Sequence, residues 1–309
     1  MKRGSFFLAL VLAGAPAFAA SSRQSRGTAA ATFLSLGGGA RAAGMAGAQT
    51  AAAEGASSMV WNPAAPVGLP GPELEAMHGD WFENSNYDFA AAAVPFAHGM
   101  AVGVSYQQFS VGSIDRRDES GFEDGSFKPE DSAIGLGFSG TAGGFQLGVT
   151  GKSVRSKIVS SASTLAADFG VMSPEINGRR WGLAATNVGG RLKYDVKEED
   201  LPATFAVGGV QRFGHHAVSA DLKFPRDNNP YLAVGAEGGL PLGGGLVGFG
   251  RLGYSTRSGA ESGSLAGASI GAGVKARWFS VDYAFAPFGD LGSVHIISLA
   301  LRGGGKAAE

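Results

Sequence analysis

A period of two governs this chain segment after segment, from Glu73 to Arg302. Successive side chains of a strand point to opposite faces, so such a period belongs to sheet and not to helix. The stretch near the end shows it most clearly. Phe279, Val281, Tyr283 and Phe285 share one face, and Ser280, Asp282, Ala284 and Ala286 share the other. After a turn containing Pro287, Gly289 and Asp290, Ile297, Leu299 and Leu301 oppose Ser298, Ala300 and Arg302. An aromatic and aliphatic face backed by a small or polar one suits a membrane barrel, with lipid outside and a lumen inside. A soluble sandwich strand gives a similar alternation, so this hairpin alone leaves both open.

The connections between segments decide more. About fourteen alternating segments are read, near 73–83, 86–96, 99–110, 131–140, 144–158, 163–173, 179–189, 202–213, 216–225, 230–241, 245–255, 265–276, 278–287 and 294–302. Tight turns fall at Ala97-His98-Gly99, Thr141-Ala142-Gly143, Gly214 and Arg277, whereas the links after Ser110, Gly190 and Tyr254 are long. Outer-membrane barrels have short periplasmic turns and long external loops. An even strand count puts both ends of the sheet in the periplasm and these long links outside. The short turns at 84–85 and 159–162 fall on the outer side against that rule. Past the N-terminus no run of about 18 apolar residues occurs, so a membrane-spanning reading requires a closed barrel.

The N-terminus reads as an export signal. Lys2 and Arg3 precede an apolar run from Phe6 to Ala13, and Pro16 precedes Ala17-Phe18-Ala19, a small-x-small cleavage pattern. The expected divisions are a signal peptide at 1–19, a tip and a non-alternating segment at 20–70, the barrel at 71–303, and a tail at 304–309. No cysteine is present, which excludes a lipoprotein signal, disulfides and thiolate metal sites. A formal net charge of −1 gives no footprint for nucleic acid. Glycine is abundant, 51 of 309 residues, and its spread through alternating segments is read as sheet curvature.

Residues 32–66 break the alternation. Thr32-Phe33-Leu34-Ser35-Leu36 reads as extended, and Gly37-Gly38-Gly39 as a loop. Arg41 to Glu54 reads as alanine-rich helix, and Asn62 as an N-cap with Pro63 at the first helical position.

Several blocks resemble the PorV/PorQ family of outer-membrane barrels, which is related in fold to the FadL fatty-acid channels. They are Ala31 through Ala48 followed by Asn62-Pro63-Ala64, then Gly182-Leu183-Ala184-Ala185-Thr186-Asn187-Val188-Gly189 with Leu201-Pro202, then Asp221-Leu222-Lys223-Phe224-Pro225-Arg226-Asp227-Asn228, then Asp282-Tyr283-Ala284-Phe285. The resemblance implies an all-β, closed antiparallel transmembrane β-barrel of fourteen strands with a short, partly helical N-terminal plug. It also implies a non-enzymatic role in the outer membrane, in contact with lipid. That role is docking or shuttling secreted cargo for a type IX-like secretion system or, alternatively, passing a hydrophobic solute as FadL channels do. The chain departs from the usual pattern by ending on Lys306-Ala307-Ala308-Glu309 and not on an aromatic residue.

Plug and lumen residues expected to matter are Gly37, Gly39, Arg41, Met45, Asn62, Pro63, Asp168 and Asp282. Inside a barrel Arg41 requires a carboxylate or carbonyl partner, with Asp168 and Asp282 as candidates; the equal alternative is a solvated arginine at the barrel mouth. Gly37-Gly38-Gly39 before a helix could cradle a phosphate, but the dinucleotide fingerprint is incomplete, no βαβ unit surrounds it, and a tight plug turn explains the glycines better. The charged run Asp115-Arg116-Arg117-Asp118-Glu119 fits no calcium loop and reads as a solvated external loop. His215-His216 point to opposite faces and make a poor metal site. Ser298, His295 and Asp282 lie on neighbouring strands, but the first two sit on opposite faces and no nucleophile elbow is present. No cofactor, catalytic or metal residue is expected.

Overall fold

The computed structural model describes residues 27–96, 99–194, 197–257, 266–288 and 292–304. The expected signal peptide, the tip before Gly27, all but Gly304 of the tail, and Ala97-His98 of the first tight turn lie outside the described residues. In chain order the strands begin with β1 (Glu73–Trp81), β2 (Ser85–Phe96), β3 (Met100–Ser110), β4 (Ile114–Arg117), β5 (Glu123–Phe127) and β6 (Glu130–Ala142). There follow β7 (Phe145–Lys157), β8 (Ser161–Met172), β9 (Arg179–Gly189), β10 (Arg191–Lys193), β11 (Glu198–Asp200) and β12 (Thr204–Phe213). The last are β13 (His216–Pro225), β14 (Tyr231–Gly243), β15 (Leu246–Ser255), β16 (Ala268–Lys275), β17 (Phe279–Pro287) and β18 (Ser293–Arg302).

Fourteen of these close into one antiparallel barrel, with β1 against β18 from Glu73 opposite Arg302 to Asp80 opposite His295. The other four form two hairpins, β4–β5 and β10–β11, in the long external links. The two faces fall as the alternation predicts. Val281 and Tyr283 are 39% and 40% exposed on the outside, and Asp282 between them is 9% exposed on the lumen side. Phe96, Phe145, Trp181, Phe213 and Trp278 stand outward near the short-turn ends, where an interfacial aromatic belt belongs. Among the described residues no helix is long and apolar enough to cross a membrane.

The segment before β1 lies inside the barrel, and its local structure differs from the sequence reading. Thr32–Ser35 is a 3-10 turn, not an extended piece. The expected helix from Arg41 to Glu54 shrinks to one short α-helix, α1 (Ala40–Gly44). Positive φ at Ala46 and Gly47 ends it, and packing against the wall overrides alanine's helix propensity. Two further 3-10 turns follow, Ala56–Val60 and Ala65–Gly68. Asn62 caps no helix at Pro63. Its Oδ1 accepts the Ala64 N–H at 3.1 Å in a tight turn.

The wall also revises the reason given for the glycines. Many face the lumen where plug backbone touches the sheet. A Cβ on Gly148 would lie 2.0 Å from the Pro63 carbonyl, on Gly182 2.3 Å from the Thr50 carbonyl, and on Gly253 2.4 Å from the backbone of Met45 and Ala46. A Cβ on Gly170 or Gly235 would be similarly close to Asn62 and Met45, at 2.0 and 2.7 Å, and one on Gly271 would lie 3.2 Å from Gly44. These glycines seat the plug, and curvature is not their main office.

Candidate functional site: the plug and the lumen wall

Charged side chains on alternate, inward positions of the strands hold the plug from several sides. The Arg41 guanidinium reaches Glu237 on β14 with two hydrogen bonds, both 2.9 Å, and also approaches the Gln49 amide oxygen and the Ala52 carbonyl at 3.3 Å. Glu237 also accepts from Arg251 Nε at 2.6 Å, and Arg251 Nη1 donates to Asp282 at 2.7 Å. Arg41 is therefore paired, but through Glu237 and not directly through either carboxylate expected from the sequence. Asp282 belongs to the same chain of charges by way of Arg251. Asp168 lies elsewhere: it is fully buried, 2.7 Å from Lys152 Nζ, and accepts the Asn187 N–H at 2.6 Å. Such buried pairs form only where geometry and extra hydrogen bonds repay desolvation.

Backbone groups of the plug complete the docking. Asp221 on β13 accepts from both Thr50 N–H at 2.9 Å and Thr50 Oγ1 at 2.7 Å. Lys223 donates to the Gly47 carbonyl at 2.6 Å and lies over the Trp61 ring at 4.9 Å. Two buried carboxylates spaced i, i+2 on β1 grip successive amides. Glu73 takes Ala56 N–H at 2.9 Å and Glu75 takes Ser57 N–H at 3.1 Å. Asn62 Nδ2 donates to Thr50 at 2.7 Å and to the carbonyls of Val171 on β8 and Leu183 on β9 at 3.3 and 3.2 Å. It therefore ties the plug to two adjacent strands. Pro63 lies against Gly148, and Met45 is fully buried on Gly235.

The glycine loop is a turn and not a phosphate cradle. Gly37 and Gly39 have φ of +76° and +89°, which other residues adopt only with strain. The Gly37 carbonyl accepts the Tyr87 hydroxyl, and the Gly38 carbonyl accepts Trp61 Nε1 at 2.8 Å. Two of the amides that an anion would use, those of Gly39 and Ala40, are taken. Gly39 N–H points at the Met77 sulfur at 3.1 Å, and Ala40 N–H at Ser298 Oγ at 3.2 Å. Ser298 is thus part of the plug seat. His295 stands on the outer face with the Tyr283 hydroxyl at 2.7 Å, so these residues with Asp282 form no catalytic group. Among the described residues no cluster of three His, Asp or Glu is placed to hold a metal. In the external β4–β5 hairpin, Arg116 pairs with Asp124, while His215 and His216 are exposed at the tight turn into β13.

The plug divides the lumen into unlike halves. Toward the long loops it joins Phe33 and Leu34 to Leu192, Leu201, Tyr87 and Phe89 in one apolar cluster. Toward the short turns lies a cavity of about 510 Å³ lined by Arg41, Glu54, Glu175, Arg180, Arg212 and Lys275, among others. Glu54, at the lower edge of the plug, bonds Arg212 Nη2 at 2.9 Å. Enclosure by the barrel works to raise its carboxyl although the side chain is 43% exposed to the cavity, and the charges of Arg41, Arg212 and Lys275 outweigh that effect and hold the group down to about 2.

Sequence reasoning missed Glu237, Arg251, Lys152, Asp221, Lys223, Glu73 and Glu75. A signal was present. Each is a charge on the inward phase of an alternating strand, and two sets share the i, i+2 spacing that places both members on one face.

No family model and no curated protein matches the sequence. Solved structures do share the fold. The toluene transporter TodX of Pseudomonas putida is 11% identical, with a TM-score of 0.59 over 85% of this chain and 96% of that one. The toluene transporter TbuX of Ralstonia pickettii is 14% identical, with a TM-score of 0.55 over 86% of this chain and 98% of that one. A FadL homologue of Pseudomonas aeruginosa is 12% identical, with a TM-score of 0.52 over 84% and 97%. The chain has the FadL-like barrel fold.

Proposed function

We propose that this protein is an outer-membrane channel for small hydrophobic solutes, with the N-terminal segment as its gate. The observation that carries the reading is the divided lumen. An apolar cluster faces the outer mouth, a charged cavity faces the periplasm, and a bonded plug stands between them. A hydrophobic solute is matched by this apolar cluster on the outer side, and passage requires the cluster and the plug to shift against their wall contacts. The similar structures described as toluene transporters and as a monoaromatic hydrocarbon channel support the same class of solute. Docking of secreted cargo rests on the sequence blocks alone, and none of these structures supports it.

The test is uptake. In Gram-negative cells lacking their own hydrocarbon channels, expression of this protein should speed entry of toluene and short alkyl compounds severalfold over an empty vector, with no gain for a hydrophilic sugar of similar size. Equal uptake with and without the protein, at matched outer-membrane levels, overturns the channel reading.

A further inference from the structure

The plug runs through the barrel in a direction that the sequence does not disclose. Its described start lies among the long external links. Ala30 N–H donates to the Asp200 carbonyl of β11 at 3.0 Å, and Ala30 and Ala31 are buried in the cluster that includes Leu192 and Leu201 of the same link. Gly27 and Thr28, just before them, are exposed. The next contacts lead down the wall, with a turn back toward the loop ends at Ala46 and Gly47, which meet Ser269 of β16 and Lys223 of β13. The Gly37 carbonyl meets Tyr87, two residues from the loop end of β2, and Ala40 meets Ser298 in the middle of β18. Glu54 meets Arg212, one residue from the short-turn end of β12. The chain then enters β1 at Glu73, on the short-turn side, where Pro72 accepts the N–H of Gly303 at 2.8 Å.

We infer that the plug enters the lumen from outside the cell, so that its first residues lie at the outer surface while the strand that follows starts from the periplasm. Long loops outside and short turns inside fix the direction. The described start of the plug would then be within reach of the medium, and the Ala30–Asp200 bond joins it to the β10–β11 hairpin. A surface contact on that hairpin would act on the plug directly. The inference does not depend on what the barrel transports.

The chain has no cysteine, so single cysteines report position cleanly. Thr28→Cys, Ser120→Cys in the β4–β5 turn and Ala142→Cys at the short-turn end of β6 would each be made in the full-length protein and exposed to a membrane-impermeant maleimide. Labelling on intact cells is compared with labelling after the outer membrane is permeabilised, each normalised to the denatured total. Position 28 is expected to follow position 120, with near-complete labelling on intact cells, while position 142 gains at least tenfold on permeabilisation. Position 28 behaving like 142 overturns the inference. So does a reversed pattern, with 142 labelled on intact cells and 28 and 120 protected.

Discussion

Arg251 links two lumen carboxylates on different strands. It is 5% exposed and bonds both Glu237 and Asp282, so its loss would leave Asp282 buried without its cation. Arg251→Met should destabilise the barrel by about 3–5 kcal/mol, read from the temperature at which the folded gel form converts to the unfolded one. Adding Asp282→Leu should recover part of that loss, because the stranded charge is removed. The glycines make a second test at this scale. Gly253→Ala places a methyl within 2.4 Å of the plug backbone, whereas nothing lies within 4 Å of a Cβ on Gly250. The first should cost about 1–3 kcal/mol by the same assay, and the second should be close to neutral. Glu54 gives a pH dependence. Its folded-state pKa of about 2 lies below its ordinary 4.5, so its contribution to docking is full above 4.5 and lost as pH falls toward about 2. Ion leakage through the protein in a planar bilayer should rise over that interval, and Glu54→Gln should weaken the dependence without abolishing it, because Glu237, Asp221, Glu73 and Glu75 also hold the plug.

At the scale of the element, each strand sorts its side chains between lipid and lumen. Val281→Arg puts a charge in lipid and should impair assembly by about 2–4 kcal/mol near the midplane, measured by folding into vesicles. Ala284→Arg enters the lumen, but Ala284 is 1% exposed and packed in the cluster that includes the plug residue Ala40, so it too should fail in the full-length protein. The same arginine should be accepted once residues 32–66 are deleted, whereas Val281→Arg should stay costly. The strands were readable because period two is a local property: the segments expected near 179–189 and 216–225 match β9 and β13 to the residue. The hairpin β4–β5 escaped because charged and polar residues fill both of its faces, and β10–β11 because strands of three residues are too short to show a period. The plug's turns escaped for another reason. Ala46 and Gly47 turn the chain because Gly235 and Gly253 leave room for it there, a fact of the wall and not of the local sequence. Likewise the need for a partner to Arg41 was legible, but its identity as Glu237 depended on the register between plug and barrel.

The whole molecule is a closed wall around a segment bonded to much of its circumference. Strands β1, β2, β8, β9, β13, β14 and β18 all hydrogen-bond plug atoms. That arrangement makes occlusion the property from which the rest of the account follows. The wall needs no plug backbone to close its ladder, since β1 pairs with β18 over eight residue pairs. The direct measurement is single-channel conductance in planar bilayers for the full-length protein and for a variant lacking residues 32–66. The account predicts a nearly silent full-length barrel and a folded, steadily conducting deletion variant. A full-length protein that conducts as freely as the deletion variant, or a folded deletion variant that stays equally closed, would contradict it.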